Sequence, residues 1–322
     1  MRAAIGLDTS CYTTSAAAVD ELGEVIGFQR MLLPVQQGMC GLRQSEAVFA
    51  HLKQLPELVE KLKAQIGDIK ICAVAASTAP RDAKDSYMPV FLVGRNFGIS
   101  LASLLGVPFF HTSHQMGHIL AGQIGGPPLG TPFVAVHLSG GTTETMLCDG
   151  ETVSPLGQSL DLHAGQLVDR LGVKMGMAFP AGAALEKLAM QAKAEALLPV
   201  SMANGDLDCH LSGAETQCLR WLESGTYTRE TIAAEAFDFL TRTVARMIRA
   251  ACERTDAGQA LIVGGVASSA ILRDRIPLRL SKMGCQADVI FGMRQYASDN
   301  AAGVARYGMR KVLETEGLPW RF

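Results

Sequence analysis

An α/β fold in two lobes is predicted by three strand–turn signatures and by the size and composition of the chain. The signatures are Ile5-Gly6-Leu7-Asp8-Thr9-Ser10-Cys11, Leu138-Ser139-Gly140-Gly141-Thr142-Thr143-Glu144 and Ile262-Val263-Gly264-Gly265-Val266-Ala267. In each, an apolar or β-branched run stops abruptly in small, hydroxylated or Gly residues. The first two have the outline of strand–turn phosphate loops, and the third is a strand feeding a Gly-Gly turn and a helix. A chain of 322 residues exceeds one ordinary core. Its 48% hydrophobic and 19% charged content supplies a large core and argues against disorder. Three such turns in this order suggest one nucleotide held by two lobes.

The elements follow in order. Residues 3–8 and 15–19 run apolar around a turn at 9–14, which predicts a β-hairpin. Apolar residues recur with helical spacing over 45–66, with Ser45 as the expected cap. A buried strand is expected over 71–76, an apolar helix over 89–105 and a short strand over 107–110. The Gly/Pro stretch 125–132 is the natural linker. The expected first lobe is therefore 1–125, with a terminal helix from 299 returning to it, and the second is 126–298. Within the second lobe, a strand is expected over 133–138 and helices over 164–172, 183–195, 231–254 and 268–282. The strand–turn units at Asp8 and Ser139 hint at two lobes of similar plan.

Several classes are excluded or disfavoured. The formal net charge of −2 makes the protein no polycation, so a nucleic acid would need a local patch or a partner. Eight scattered cysteines without a C-x-x-C pattern indicate reduced, mostly buried thiols. No apolar run reaches membrane-spanning length, and the start reads as a strand, not a signal peptide, so a cytoplasmic location is expected.

His111, His114 and His118 fall within eight residues. His114 and His118 are spaced i, i+4 and share one face of a helix, where two imidazoles can grip one metal ion. Gln115 stands where a zincin metalloprotease has its general base, and an amide cannot take a proton. Two histidines need a further ligand, for which Asp299 is a candidate. The alternatives are surface or capping histidines and a plain helix cap at Asp299.

With these residues in order, the chain resembles the catalytic subunit family that makes N6-threonylcarbamoyladenosine in tRNA, the TsaD family, formerly labelled glycoprotease or peptidase M22. Ile5–Cys11 is similar to its opening strand and turn, and His114-Gln115-Met116-Gly117-His118 to its His-Met-Glu-Gly-His segment. His137-Leu138-Ser139-Gly140-Gly141 is similar to its Val-Ser-Gly-Gly loop, and Asp161 to Asp169 to its Asp-x-x-x-Gly-x-x-x-Asp stretch. Phe179-Pro180-Ala181-Gly182, His210-Leu211-Ser212-Gly213, Gly264-Gly265-Val266-Ala267 and Ser298-Asp299-Asn300 match four further motifs.

The resemblance implies an actin/sugar-kinase/Hsp70-like (ASKHA) fold. It also implies transfer of the threonylcarbamoyl group from threonylcarbamoyl-AMP to N6 of an adenosine in tRNA. It makes His114, His118 and Asp299 ligands of one divalent ion, iron or zinc. Ser10, His137, Leu138, Ser139, Gly140, Gly141, Asp169, Gly182, Gly264, Gly265 and Ser269 become nucleotide- or substrate-binding positions. Within that set the Ser139–Gly141 backbone faces phosphate, Asp169 bonds ribose, Gly182 lets the sugar approach, and Gly264–Gly265 carries adenine. A TsaB-like paralogous subunit and an ATPase subunit are the implied partners.

The chain departs from the family at the site. Tyr12 and Thr13 stand where the family turn has Asp and Glu, and Thr142 replaces a His. Met116 replaces the Glu of the metal segment, and Ser269 an Asn. The Asp-Asp-Ala-Ala-Gly-Glu run becomes 161–166, and a charged stretch over 80–87 replaces a Gly-Pro-Gly turn. His137 and His163 are extra histidines near the phosphate region, open to either compensating or core roles. A catalytically impaired paralogue serving as nucleotide- or metal-binding scaffold, or a carbamoyltransferase with another acceptor, is therefore a competing expectation. Arg242, Arg246 and Arg249 form one helical stripe, and Arg273, Arg275, Arg279 and Lys282 a second cluster. Both are candidates for tRNA phosphates or for neutralisation by nearby carboxylates.

Overall fold

The structure is a computed structural model and describes residues 1–10, 12–36, 39, 41–297 and 300–319. The first elements are β1 (Arg2–Thr9), β2 (Thr13–Asp20), β3 (Val25–Leu32), α1 (Gln44–Ile66), β4 (Lys70–Ala79), α2 (Phe91–Leu105), β5 (Phe109–Ser113) and α3 (His114–Gly122). The middle holds β6 (Phe133–Leu138), β7 (Thr143–Asp149), β8 (Thr152–Gln158), α4 (Ala164–Lys174), α5 (Gly182–Ala189), β9 (Ser201–Ala203) and β10 (Asp208–His210). Then come α6 (Ser212–Ser224), α7 (Arg229–Thr255), β11 (Gln259–Val263), α8 (Ala270–Lys282), β12 (Asp288–Phe291), α9 (Arg294–Ala297) and α10 (Ala301–Thr315).

The chain divides into two compact units. One combines Met1–Val35, Gly41–Pro128 and Gly292–Phe322, and the other centres on Leu129–Phe291.

In the first unit the sheet order is β3-β2-β1-β4-β5. β1, β2 and β3 pair antiparallel as a meander, whereas β4 joins β1 in parallel and β5 joins β4. Alternation along β1 explains its two covers. Ala3, Ile5 and Leu7 pack with Leu55, Leu58 and Leu62 of α1 and Val93 of α2. Ala4, on the other face, packs with Met309, Val312 and Leu313 of α10, while Ala17 and Val19 of β2 meet Ala301, Ala302 and Ala305. The small residues let the terminal helix lie close to the strands.

The second unit repeats the plan. Its sheet order is β12-β11-β6-β7-β8, with β6, β7 and β8 an antiparallel meander and β11 and β12 added in parallel. Its core gathers Val134, Val136 and Leu138 of β6, Ile262 of β11 and the long α7, whose Phe237, Phe239, Leu240 and Ile248 are buried. Buried Glu235 of α7 accepts the backbone N–H groups of Glu195 (2.5 Å) and Leu197 (2.7 Å), which ties the 195–197 segment to the core.

Several sequence expectations change. Ser45 lies inside α1, not at its cap. The cap is Arg43, whose N–H donates to the Glu46 carboxylate at 3.3 Å. The strand expected over 107–110 is β5, displaced to Phe109–Ser113, so His111 lies on a strand. α5 stops at Ala189, well short of 195. The expected helix over 268–282 is a 3-10 turn, Gly265–Ser268, followed by α8. α10 is capped at Asn300, and the candidate Asp299 lies outside the described residues, as do Cys11 and Ser298. Among the described residues no helix is long and apolar enough to cross a membrane.

Candidate functional site

In the first unit the histidines are placed by the cap of α3. Ser113 closes β5 and accepts the Met116 N–H on its hydroxyl at 3.1 Å, so the helix starts at His114. His114 and His118 then sit one turn apart, with ring centroids 4.8 Å apart and planes inclined by 71°. His118 is buried, and His114 keeps a side-chain exposure of 20%.

Asp8, at the end of β1, is 1% exposed. Its Oδ1 accepts from the Ser77 hydroxyl of β4 and lies 3.0 Å from His114 Nδ1. Burial opposes ionisation of this carboxyl, but the charge and hydrogen bond of His114, with Ser77, hold it below the usual aspartate value. The Asn300 amide nitrogen lies 2.7 Å from His114 Nδ1 and 3.1 Å from Nε2, and the Phe91 ring is centred 5.7 Å away. Among the described residues the buried Asn300 Oδ1 has no hydrogen-bond partner. Among the described residues no three His, Cys, Asp or Glu side chains converge to hold a metal. The donor set nevertheless suits zinc or iron: two imidazoles on one helical face, one of them carrying a carboxylate on its second nitrogen.

The Ser10 turn is fixed from α1. His51, fully buried, donates from Nε2 to the Ser10 carbonyl at 2.7 Å, and its Nδ1 meets the Thr14 hydroxyl at 2.7 Å. Burial pushes the His51 pKa down, opposed by the Ser10 carbonyl and the Asp8 charge. Thr13 is buried on β2, paired with Leu32.

In the second unit Ser139-Gly140-Gly141 turns from β6 to β7. The Ser139 N–H donates to the Thr142 carbonyl (2.8 Å), and the Gly141 N–H to the Ser139 hydroxyl (3.3 Å). The start of α4 abuts this turn: Gly165 N–H donates to the Ser139 carbonyl (3.0 Å) and Ala164 N–H to the Thr143 hydroxyl (2.7 Å). A Cβ on Gly165 would meet Gly140 N at 2.6 Å, so only glycine allows this approach. Gly264 has φ +98°, and a Cβ there would lie 2.3 Å from the Leu138 carbonyl oxygen. The Ser139 turn, Gly165 and Gly264 are thus brought together by backbone contacts.

The remaining predicted positions are placed differently. Leu138 is a core side chain, and buried His137 stands 3.8 Å from buried Glu144 across the β6–β7 pair. Asp169 accepts the Ala181 N–H at 2.8 Å at the start of α5, just before Gly182. Burial raises its pKa, against hydrogen bonds from the Ala181 and Gly182 backbone. Ser269 caps α8, accepting the Leu272 N–H (3.2 Å), and its hydroxyl donates to Glu186 (2.5 Å). A cavity of about 640 Å³ lies beside Asp161, His210, Ser212, Gln217 and Trp221. There Asp161 accepts from the Leu162 and Leu211 backbone and from the Ser212 hydroxyl.

The α7 stripe is largely neutralised. Arg242 pairs with Asp238 (2.6 Å), Arg246 and Arg249 with Asp206 (3.3 and 3.7 Å), and Arg249 also with Glu253 (3.6 Å). In the second cluster Arg273 donates to the Ala267 carbonyl and stacks over Phe291. Sequence reasoning missed Asp8, Ser77, His51 and Asn300. A carboxylate ending an otherwise apolar strand was the one signal available for Asp8.

Comparison with known proteins gives the fold and the family. The solved activator of 2-hydroxyisocaproyl-CoA dehydratase from Clostridium difficile with bound ADPNP superposes with a TM-score of 0.57 at 14% identity, covering 99% of both chains. A ROK family glucokinase from Streptomyces griseus superposes with a TM-score of 0.57 at 13% identity, covering 96% of this chain and 99% of its own. Full-length HypF reaches 0.63 at 13% identity, covering 99% of this chain and 47% of its own. These likenesses establish the ASKHA fold. In sequence, the tRNA N6-adenosine threonylcarbamoyltransferase of Aromatoleum aromaticum is 30% identical over 314 residues, 94% of this chain and 90% of that relative. That of Bordetella avium is 30% identical over 321 residues, 96% of this chain and 91% of the relative. The family described as TsaD, tRNA N6-adenosine threonylcarbamoyltransferase, matches residues 35–306. The chain belongs to the TsaD family.

Proposed function

We propose that this protein transfers the threonylcarbamoyl group from threonylcarbamoyl-AMP to N6 of an adenosine in tRNA. The observation that carries the reading is the family match across residues 35–306, which spans both the α3 histidines and the Ser139 and Gly264 turns. The exocyclic amine attacks the carbamoyl carbon and releases a proton to solvent, the bond to the phosphate oxygen breaks, and AMP leaves with its electron pair. The Gly140 backbone N–H, with that of Gly141 once it leaves the Ser139 hydroxyl, takes the phosphate, while the Ser139 N–H stays on the Thr142 carbonyl and holds the turn. The Gly264–Gly265 turn takes the adenine, and Asp169 and Gly182 the ribose. Ser10, held through its carbonyl by His51, orients the turn that follows β1. His114, His118 and Asp299 would hold one zinc or iron ion. Such an ion supplies Lewis-acid stabilisation of developing negative charge, worth several kcal/mol. The remaining rate gain comes from positioning.

The partners in this reading are threonylcarbamoyl-AMP, tRNA, a TsaB-like subunit and an ATPase subunit, in the cytoplasm. The paired arginines of α7 support a partner-assisted grip on tRNA. Residues 1–125 with the terminal helix, and 126–298, are the proposed domains. Incubation with threonylcarbamoyl-AMP, unmodified tRNA and the partner subunits tests the reading, with modified adenosine read by mass spectrometry. No product from a metal-loaded, adenylate-binding protein overturns it.

A second reading is a scaffold that binds metal and nucleotide without turnover, or a carbamoyltransferase with another acceptor. It is favoured by Thr13, which is buried on β2 where the family has an acidic residue, and by Tyr12 beside it. Binding of AMP without turnover on tRNA would select it.

A further inference from the structure

We propose that Asp8 is a positioning residue for His114. Its buried carboxylate takes the Nδ1–H, fixes one imidazole tautomer and leaves Nε2 for the metal. The inference rests on the metal reading above and extends it to a residue outside the ligand trio.

Three elements converge on one carboxylate oxygen. Asp8 is the penultimate residue of β1, Ser77 lies on the neighbouring strand β4, and His114 opens α3. The Ser77 hydroxyl donates to Oδ1, and His114 Nδ1 lies 3.0 Å from the same atom. Asp8 is 1% exposed and Ser77 fully buried. A carboxylate taken out of water is held only where partners replace its lost hydration.

That imidazole is one of a pair spaced i, i+4, with centroids 4.8 Å apart. Ring orientation and tautomer are both set by the group on the second nitrogen. A ligating imidazole usually carries such a carboxylate, which also raises its basicity as a ligand. Ser77 holds the carboxylate in turn, so its orientation does not depend on His114 alone. The Phe91 ring bounds the same imidazole, and the Asn300 amide nitrogen lies 2.7 Å from Nδ1 and 3.1 Å from Nε2, so a metal on Nε2 requires that amide to turn away.

The test is metal affinity of the full chain, not activity. Zn²⁺ is titrated against a chromophoric chelator, and the visible spectrum of the Co²⁺-loaded protein is recorded. Wild type, Asp8→Asn and Ser77→Ala are compared, with thermal unfolding of each. Asn matches Asp in size, so D8N keeps the packing and removes the charge. The expected result is at least a ~10-fold loss of Zn²⁺ affinity in D8N, with an altered Co²⁺ spectrum and a smaller loss in S77A. Wild-type affinity and spectrum in a folded D8N overturn the role of Asp8 and leave the metal reading standing. Should D8N fail to fold, unchanged affinity and spectrum in S77A overturn it. A wild-type protein that takes up neither ion overturns the metal reading and the role together.

Discussion

Gly165→Ala is the substitution whose effect the structure determines most closely. The new Cβ would lie 2.6 Å from Gly140 N and 2.7 Å from Ser139 C, both backbone atoms of the turn assigned to the phosphate. Ordinary contact begins near 3.4 Å, so the shortfall from 2.6 Å is about 0.8 Å. No flexible side chain can absorb it. Either the turn moves, or α4 withdraws and loses the 3.0 Å Gly165–Ser139 hydrogen bond. Overpacking of this kind costs about 1–3 kcal/mol of stability. A displacement approaching 1 Å also takes backbone donors out of line with a phosphate, and misplacement on that scale can cost on the order of 100-fold in rate. The assay is urea unfolding of G165A beside AMP titration by calorimetry. The expected outcome is a loss of about 1–3 kcal/mol together with at least a ~10-fold weaker AMP affinity. Undiminished stability would refute the close approach. Lost stability with wild-type AMP affinity would refute the phosphate role of the turn.

His114→Ala should abolish stoichiometric metal uptake, because two protein ligands rarely hold a divalent ion. Elemental analysis of purified protein checks this, and undiminished content refutes the assignment. Burial raises the Asp169 carboxyl above its ordinary 3.8. A carboxyl that binds its proton more tightly when folded makes its ionised form destabilising at neutral pH, and the penalty fades as pH falls through the folded value. Asp169→Asn should therefore raise Tm at pH 7, lose that gain on acidification towards pH 3.8, and weaken adenylate binding; an unaltered Tm at pH 7 contradicts the burial argument. Burial pushes the thiols of Cys148, Cys218 and Cys252 up to about 12 and that of Cys209 to about 11. All four should resist iodoacetamide at pH 8 in the native protein, as read by peptide mass spectrometry, and become reactive in denaturant.

The fold was legible where local pattern and backbone chemistry agree. Apolar runs ending at Ser10, Ser139 and Gly264 marked three strand ends, and β1 with β2 forms the expected hairpin. Of the turn glycines, Gly264 is required by sterics, whereas a Cβ on Gly141 or Gly265 would meet nothing within 4 Å. Strands β3, β7, β8 and β12 were not, since their pairing is decided by non-local neighbours and not by their own periodicity. The boundary of α1 was missed because Ser45 looks like a cap, whereas the actual cap is Arg43, two residues earlier, paired with Glu46. In the site, the i, i+4 spacing of His114 and His118 carried through to one helical face. Asp8 and Ser77 were hidden because 69 residues separate them in sequence, and 106 separate Asp8 from His114. The arginine stripe of α7 was correctly periodic, but its partner Asp206 comes from the β9–β10 turn, which sequence spacing cannot reveal.

The most direct test of the account is threonylcarbamoyl transfer by the metal-loaded protein. Purified protein of known zinc and iron content is incubated with threonylcarbamoyl-AMP, unmodified tRNA and the partner subunits of the same cell. Digested tRNA is then analysed by mass spectrometry. The account predicts N6-threonylcarbamoyladenosine and its loss in His114→Ala. Bound metal and bound adenylate with no modified adenosine would contradict it, and would assign the chain to a scaffold or to another acceptor.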